Sequence, residues 1–543
     1  MIYEERKISP LSTLILLGAA FLLIVSPWLL GLRDLYWGEG AYAAMTAELD
    51  SFPPLLKLHG IIASGVYPLY PLLVKGLACT GLGMEFCLRI IPGLALLLLC
   101  GIVFISCWRT SGLQGAAVGA AVMLSSMVVV DKCSEGNPVF LTTLGIFACW
   151  MVWFDLAAWR GRWNFAWIAS GFIAGLTFYS GGWQALFQII VPMLFLRRPL
   201  SLKSKPRGYG FPVALLLIAL FILLWGFPRW YVGYAGAFRP DTAPLLSGKE
   251  YLIQLLLFPF DALIRLFPWS LFLWVPFCPA IITLDKNPLL CKYLRTLFTV
   301  LVCLLWFTPG TEGRDLVVLV PPLAVLIGRN YWIAVRRYGA RYLALFKFLA
   351  WVLLACAGAA IVFYLSSDEM LQKFSFHLPR FAYRREVFIF ILALAYSGGA
   401  FLLALLTLVQ TRRKGVPVWR SILLLALAGT LLNWGVVVPY KAASHERREA
   451  GTAIRKAIGG DTDGLTVYKS ASLGGLYAEG FYMGGKIATF KNASELPSGE
   501  KTIYVLAPEV PIVPDRAWKN LFSREYRQLR LNLWKGELRQ ETE

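Results

Sequence analysis

The sequence predicts an all-α polytopic membrane domain of about thirteen transmembrane helices, followed by a small C-terminal α/β domain. Of its 543 residues, 58% are hydrophobic and only 15% are charged. Soluble domains usually have about 45–50% apolar and about 25% charged residues. The mean hydropathy of +0.62 departs in the same direction. Together these values indicate a chain whose surroundings are mostly lipid.

The net charge of +20, from 52 Lys and Arg against 32 Asp and Glu, does not indicate nucleic-acid binding. The basic residues lie mainly in short segments between apolar runs, where they set topology and face anionic lipid. No basic helix or aromatic–basic platform stands apart from these runs, so nucleic acid is not an expected partner. The ten cysteines end at Cys356, so no disulfide framework is predicted for the C-terminal region.

Apolar runs of about twenty residues, enough to cross about 30 Å of hydrocarbon, define the predicted spans. The first follows Arg6 and Lys7 and is too long for the core of a signal peptide, so we interpret it as a retained anchor. The predicted spans are 11–31, 86–107, 113–130, 138–158, 164–180, 182–196, 211–227, 267–285, 294–308, 315–334, 342–365, 386–409 and 418–438.

The basic residues between the spans predict the orientation of the chain. With a cytoplasmic N-terminus, the densest basic clusters lie inside, near residues 160–162, 197–207, 286–292, 329–341 and 412–414. The predicted outer loops are 32–85, 131–137 and 228–266. The apolar segment 66–82 is predicted to lie in the membrane interface, because a crossing there would invert every later loop.

After residue 440 the composition changes, and residues 441–543 are predicted to form a separate extracytoplasmic domain. About a hundred residues are enough for a core of their own. The pattern predicts helices at 446–458 and 515–522. Predicted strands, separated by Gly and Pro, are 465–469, 486–490, 502–506 and 527–534. Residues 1–440 form the predicted membrane domain.

The first outer loop carries the strongest candidates for chemistry, Asp34 and Glu39, among the aromatic residues Trp37 and Tyr42. A carboxylate that aromatic groups partly shield from water can act as a general base or metal ligand. The same pattern also fits an acidic residue at a helix N-terminus, which the helix dipole favours. Both interpretations remain open.

Two further outer segments contain charged residues. Asp131, Glu135 and Asn137 fall within seven residues between two spans, and either a shared site or a solvated turn explains them. Arg314 lies at the mouth of a span, where a guanidinium can bind a phosphate through two hydrogen bonds. Its alternatives are a lipid headgroup contact or an ion pair with Glu312 or Asp315.

Histidine is rare, which makes a metal site hard to predict: the three are His59, His377 and His445. Glu39 with His59 is a possible metal pair, although no spacing motif supports it, and a divalent cation is the only cofactor considered. Because the sequence contains no Walker loop, no GxSxG motif and no zinc-type cysteine pairs, an ATP-driven pump is not expected.

The order of motifs resembles that of the GT-C membrane glycosyltransferases that use polyprenyl-phosphate sugars, in the bacterial group of the lipid A aminoarabinose transferase and the protein O-mannosyltransferases. Four motifs follow one another along the chain. They are a Glu followed by a Tyr–Ala helix, a proline–aromatic segment, a Phe-x-x-Arg-x-x-Pro entry to a span, and a basic residue before a proline-rich span. They lie at residues 38–43, 67–72, 85–94 and 314–323.

Three positions depart from the pattern of this family. Gly38 stands where an Asp is common, Val66 stands where a Lys is frequent, and Asn137 lies near the position of an Asp. The departures leave open whether the chain uses a shifted carboxylate or belongs to a relative without activity.

The resemblance implies an inverting transfer of a sugar from a polyprenyl-phosphate carrier to a lipid, glycan or protein acceptor at the outer face of the bacterial cytoplasmic membrane. It implies that a carboxylate, Glu39 or secondly Asp34, activates the acceptor, while Glu135 or Asp131 orients it. Arg314 and Lys57 are the expected partners of the donor phosphate. The expected pocket residues are Trp37, Tyr42, Tyr67, Tyr70 and Asn137.

Two functions of other classes remain open. A transporter or flippase of lipid-linked sugars would carry charges deep within its spans and broken helices in two equivalent halves. The acids here cluster instead in outer loops. A non-catalytic assembly subunit of the same fold is favoured by the Gly at position 38.

Overall fold

The computed structural model describes most of the chain, and every structural statement below concerns the residues it describes. These are 3–5, 9–29, 34–49, 55–63, 65–133, 135–200, 208–234, 237–238, 246–285, 287–366, 387–413, 415–437, 447–460, 465–498, 500–511, 513, 515–526 and 529–538.

The chain divides into two compact units. We call Met1–Arg33, Arg89–Leu223 and Arg239–Ser444 the bundle unit, and Asp34–Leu88, Leu224–Phe238 and His445–Glu543 the composite unit. The C-terminal sheet thus belongs to a unit that also contains the first predicted outer loop. The predicted division at residue 440 places the first outer loop with the membrane domain and not with the C-terminal sheet.

The helices are long and apolar, as the sequence predicts. In chain order they are α1 (Pro10–Leu29), α2 (Trp37–Ala47), α3 (Leu69–Ala78), α4 (Met84–Ser125), α5 (Met127–Lys132), α6 (Val139–Phe154), α7 (Trp163–Leu194), α8 (Gly210–Tyr231), α9 (Gly248–Arg265), α10 (Pro279–Ile282), α11 (Pro288–Phe307), α12 (Val320–Leu365), α13 (Val387–Thr411), α14 (Val418–Leu432), α15 (Arg447–Ile458) and α16 (Tyr477–Met483).

Seven helices in the described part of the chain are long and apolar enough to cross a membrane, or eight if a pair bent by 98° is one span. Two of them, Met84–Ser125 and Gly313–Leu365, each overlap two predicted spans. The chain turns within α4 at Gly112 and within α7 at Gly182, where φ is 70° and 64°. These backbone angles favour glycine. Helix α12 has 46 residues and covers two predicted spans. The number of crossings stays a prediction.

The predicted span at 267–285 is wrong as a continuous helix. The structure has short 3₁₀ turns at Trp269–Phe272 and Val275–Phe277, followed by the four-residue α10. Prolines 268, 276 and 279 explain the breaks, since proline lacks an N–H and disfavours helix at the residue before it. The apolar helix of this region is α9, which lies within the predicted outer loop 228–266.

The composite unit is built on a five-stranded mixed sheet. Its strands are β3 (Thr466–Ser470), β4 (Lys486–Phe490), β5 (Thr502–Ala507), β6 (Arg516–Tyr526) and β7 (Leu529–Leu538), in the order β4-β3-β5-β7-β6. Strand β3 is parallel to β4 and β5, whereas β7 is antiparallel to β5 and β6. A two-stranded hairpin, β1 (Lys57–Leu58) and β2 (Ile61–Ile62), precedes the sheet in the chain.

Helices α15 and α16 cover the sheet with an apolar core. Ile454, Val467, Met483 and Ile487 are buried there, and helix 446–458 is confirmed as α15. The predicted helix at 515–522 is wrong, because these residues form most of β6. Trp518 and Phe522 favour an extended backbone, and pairing with β7 decides the conformation.

Candidate active site

Glu39 closes the N-terminus of helix α2. Tyr36 precedes the helix with an extended backbone (φ −66°, ψ 165°), and its N–H donates to Oε2 of Glu39 at 2.8 Å. The Glu39 side chain is only 2% exposed. The helix-terminal interpretation of this acid is therefore realised in the fold, and it fixes the carboxylate in a position shielded from water.

Gly38, beside Glu39, has room for a side chain, whereas Gly40 has none. A Cβ built on Gly38 meets no atom within 4 Å. A Cβ on Gly40 lies 2.6 Å from the backbone N of Ala478 in α16. Helix α2 therefore packs against α16 through Gly40, and the space beside Gly38 is open.

The two glycines give a matched pair of stability predictions. Gly40→Ala should destabilise the composite unit by about 1–3 kcal/mol, because α2 or α16 must shift to admit the methyl group. Gly38→Ala should be neutral or slightly stabilising, because alanine has the higher helix propensity. Urea denaturation of the two variants measures both effects. An equal response of the two variants would contradict the close approach of α2 and α16.

Asp34, the second predicted catalytic acid, forms an ion pair with α15. Its Oδ2 accepts the backbone N–H of Arg448 at 3.0 Å, and its Oδ1 lies 3.6 Å from Nε of that residue. Nη2 of Arg448 also donates to both oxygens of Glu85, at 3.0 and 2.9 Å. Arg448 thus joins two acids of the first predicted outer loop, and this ion pair competes with any catalytic role of Asp34.

Arg447, the residue before Arg448, is a buried cation. Nη1 of Arg447 donates to the carbonyl oxygen of Leu35 at 2.6 Å, and its Nε lies 3.9 Å from Oε1 of Glu479. Lys469, on β3, donates to the carbonyl oxygen of Gly474 and interacts with Glu479. Burial lowers the pKa of Lys469, and the carboxylate opposes that effect. One acid therefore compensates two buried cations.

His59 forms the tip of the β1–β2 hairpin and is 3% exposed. It has a φ of 52°, and Oε1 of Glu48 accepts its backbone N–H at 2.9 Å. The imidazole lies 5.2 Å from the ring of Tyr477, and Thr489 donates its N–H to the His59 carbonyl at 3.3 Å. These contacts hold the hairpin to α16 and β4.

The surroundings of His59 disfavour its charged form. Burial, assisted by the nearby Lys469, lowers its pKa from 6.5 to about 3. Within the described residues, no group of three or more His, Cys, Asp or Glu side chains is arranged to hold a metal ion. The Glu39–His59 metal pair stays a prediction.

The low pKa of His59 predicts a loss of stability in acid. Between pH of about 3 and 6.5 the unfolded chain binds the proton and the folded chain does not, so stability falls as pH falls through this window. The slope from one such group reaches about 1.4 kcal/mol per pH unit. Denaturation of the wild type and His59→Asn between pH 7 and 4 measures it, since Asn tolerates a positive φ and does not titrate. Superimposable pH profiles would contradict the assignment.

Aromatic residues of the predicted pocket lie in contact with one another. The rings of Tyr42 and Tyr70 meet edge to face, with centroids 5.2 Å apart. Tyr67 stacks on Trp225 of α8 at 5.1 Å, and the guanidinium of Arg229 lies 4.2 Å from the same indole. The structure thus brings together Tyr42 with Tyr70, and Tyr67 with two residues that the sequence did not suggest.

Arg229 also fixes the loop that carries Tyr67. Its Nη2 donates to the carbonyl oxygens of Ala63 and Val66 at 3.1 and 2.8 Å, and its side chain is buried. The only sequence signal for Arg229 is a charged residue near the end of an apolar span. A contact across more than 160 residues leaves no local pattern. Lys57, a predicted phosphate partner, is exposed on β1.

The second predicted outer loop, in the bundle unit, forms its own polar cluster. Nζ of Lys132 lies 2.6 Å from Oε1 of Glu135 and 3.3 Å from Oδ2 of Asp131. Nδ2 of Asn137 donates to Oε2 of Glu135 at 3.1 Å, and its Oδ1 accepts the N–H of Val139 at the start of α6. The three predicted residues therefore lie together, with a lysine that neutralises part of their charge.

Arg314, also in the bundle unit, forms the ion pair that was one of its predicted alternatives. Its Nε lies 2.9 Å from Oε2 of Glu312, and the two side chains are 45% and 62% exposed. An exposed pair of this kind contributes little to stability. Asp315 accepts the Glu312 N–H at 2.8 Å. Arg314 is thus on the surface of its unit, where its role toward a phosphate stays a prediction.

The comparisons with known proteins agree with the predicted fold. No family model and no curated protein matches the sequence. Among solved structures, ArnT from Cupriavidus metallidurans matches in two crystal structures, one bound to undecaprenyl phosphate and one in the apo state. Each match has a TM-score of 0.67 and 14% identity, and covers 96% of this chain and 97% of ArnT. The chain has the fold of ArnT.

The likeness to ArnT confirms the fold expected from the motif order, a GT-C-like helical membrane domain with a small C-terminal sheet domain. At 14% identity it establishes the fold and not the activity. A weaker likeness, to the oligosaccharyltransferase of Archaeoglobus fulgidus, has a TM-score of 0.34 and carries no argument.

Proposed function

We propose that the chain is a glycosyltransferase that moves a sugar from a polyprenyl-phosphate carrier to a lipid, glycan or protein acceptor at the outer face of the cytoplasmic membrane. The observation that carries this proposal is the fold likeness to ArnT over nearly the full length of both chains. One of the ArnT structures holds undecaprenyl phosphate. The apolar helices of this chain suit a carrier with a long isoprenoid tail.

Glu39 is the proposed base. The acceptor oxygen attacks the anomeric carbon, its proton passes to the Glu39 carboxylate, and the bond from that carbon to the phosphate oxygen breaks. The carrier phosphate leaves with the electron pair, and attack opposite the leaving group inverts the configuration. The placement of Glu39 supports this role, since its carboxylate is shielded from water and held in a fixed orientation at the start of α2.

The proposal assigns no step to a divalent cation. Carboxylate and imidazole groups are the ligands such an ion would use, and the part of the chain described by the structure does not gather three of them. Arg314 and Lys57 are the proposed cations for the donor phosphate. Tyr42, Tyr67 and Tyr70 are the proposed aromatic wall of the sugar pocket, and Asp131, Glu135 and Asn137 are proposed to orient the acceptor.

A non-catalytic assembly subunit is the second candidate, and two observations favour it. Gly38 offers no carboxylate, and its position is open. Asp34 and Glu85 both pair with Arg448, while Glu48 binds the backbone of the β1–β2 hairpin. In this candidate, Glu39 has only its helix-terminal role.

An assay with a donor labelled in its sugar distinguishes the candidates. The purified protein is incubated in detergent with labelled polyprenyl-phosphate sugars and a crude outer-envelope acceptor fraction. A transferase moves the label to a product that no longer carries the polyprenyl phosphate. A transporter binds the donor and leaves it intact, and an assembly subunit neither binds nor consumes it. Intact donor across sugars would contradict the proposal.

A further inference from the structure

The bundle unit contains a buried guanidinium that the proposed reaction does not use. Arg329 lies in α12 and is 4% exposed. Neither its Nε nor its Nη1 has a hydrogen-bond partner among the described residues. Taking such a charge out of water costs several kcal/mol unless an opposite charge and hydrogen bonds compensate it. The groups around Arg329 therefore indicate what kind of ligand would compensate its charge and accept its N–H hydrogen bonds.

The groups around Arg329 carry an excess of positive charge. Arg329 acts electrostatically on the thiols of Cys107 in α4 and Cys291 in α11. Cys291 is also within electrostatic reach of Asp285 and Arg295. The Asp285 carboxylate is already bound by Arg295, with Nη1 and Oδ2 3.2 Å apart. Around Cys291 there are thus two guanidinium groups and one carboxylate, a net charge of about +1 by simple count. Within the described residues, Oδ1 of Asp285 has no hydrogen-bond partner.

The start of α11 adds to this positive potential. Cys291 is in the first turns of α11, a helix of 20 residues whose N-terminus is capped by Asn287. Helix N-termini attract anions through the helix dipole. At this one Pro288 has no N–H and Leu290 donates its N–H to Asn287, so the dipole is the main contribution. Next to it, Nζ of Lys292 is exposed and donates to the carbonyl oxygen of Arg198. A helix end, a buried guanidinium and a second arginine therefore converge on one region.

We propose that Arg329, Arg295 and the N-terminus of α11 form a binding site for a phosphate group, built from residues to which the proposed reaction assigns no role. A phosphate oxygen accepts charge-assisted hydrogen bonds from guanidinium groups and compensates the excess charge. The phosphate belongs either to an anionic lipid headgroup or to a soluble phosphate compound. Exposed basic residues nearby, among them Arg336 and Arg337, would concentrate either kind of anion.

Thermal unfolding of the detergent-purified full chain tests this site. The probes are phosphatidylglycerol, phosphatidylcholine and inorganic phosphate, each titrated at fixed ionic strength. We expect phosphatidylglycerol or inorganic phosphate to raise the Tm saturably. Arg329→Gln should weaken the apparent affinity by at least about tenfold, the loss expected for a charge-assisted hydrogen bond. Arg329→Lys should retain part of it, and Arg530→Gln, at an exposed position of β7, is the matched control.

The three probes identify the source of the phosphate. A response to inorganic phosphate assigns a soluble compound, and a response to phosphatidylglycerol alone assigns a lipid headgroup. The absence of a response to both, or equal responses of the wild type and Arg329→Gln, would overturn the proposal. A direct ion pair between Arg329 and Asp285 would also overturn it. In the absence of anion we expect Arg329→Gln to leave the Tm unchanged, whereas loss of such an ion pair would lower the Tm as Asp285→Asn does. None of these measurements depends on sugar transfer, so they test the phosphate site independently of the proposed function.

Discussion

Glu39→Gln is expected to reduce sugar transfer by about 10²–10⁴-fold while the protein stays folded. Loss of a positioned general base typically costs this much. The amide oxygen of Gln can still accept the N–H of Tyr36, so the N-terminus of α2 remains capped. The rate with saturating donor and acceptor measures the loss, and the Tm measures the fold.

Two further variants make this result specific. Glu85→Gln changes another acid of the composite unit that pairs with Arg448, and it should leave the rate near that of the wild type. Glu39→Asp keeps the charge on a shorter side chain and should retain partial activity. Wild-type turnover in a folded Glu39→Gln protein would remove Glu39 as the base and leave it a helix cap.

Glu479→Gln is expected to destabilise the composite unit by about 3–5 kcal/mol, the usual cost of removing one partner from a buried ion pair. Glu479 is 3% exposed and lies beside the buried cations Arg447 and Lys469. Without its charge, both cations remain buried and uncompensated. Limited proteolysis of the C-terminal region along a urea gradient measures the shift.

Glu509→Gln is the matched control for this measurement, because Glu509 is an exposed acid of the same sheet domain. Its midpoint should coincide with that of the wild type. A Glu479→Gln protein with an unchanged midpoint would show that water, and not Glu479, compensates Arg447 and Lys469.

Much of the fold could be predicted from the sequence, because apolar runs of span length have one main explanation. The runs at 86–107 and 113–130 begin on the two halves of α4, on either side of Gly112, and the second run ends in α5. The secondary-structure predictions were wrong where composition and local geometry disagree. Residues 267–285 are apolar enough to span, but their prolines break the helix, and residues 515–522 became β6 through pairing with β7.

The candidate site was less predictable, because its contacts join distant parts of the chain. The sequence indicated that Asp34 and Glu39 were unusual, but not that Arg448, more than 400 residues later, would pair with Asp34. It placed Tyr67 in an aromatic segment without indicating Trp225. Pairing of charges and stacking of rings across such distances depend on the folded backbone, and they leave no periodicity to detect.

The most direct test of the account asks where the donor phosphate binds. A polyprenyl phosphate with a photoreactive group next to the phosphate is cross-linked to the full chain in detergent, and the modified peptides are mapped by mass spectrometry. We expect cross-links in residues 34–49, 55–63, 65–78 or 308–319 that unlabelled polyprenyl phosphate suppresses. Competed cross-links confined to helices α12 to α14, or none that the unlabelled lipid suppresses, would contradict it.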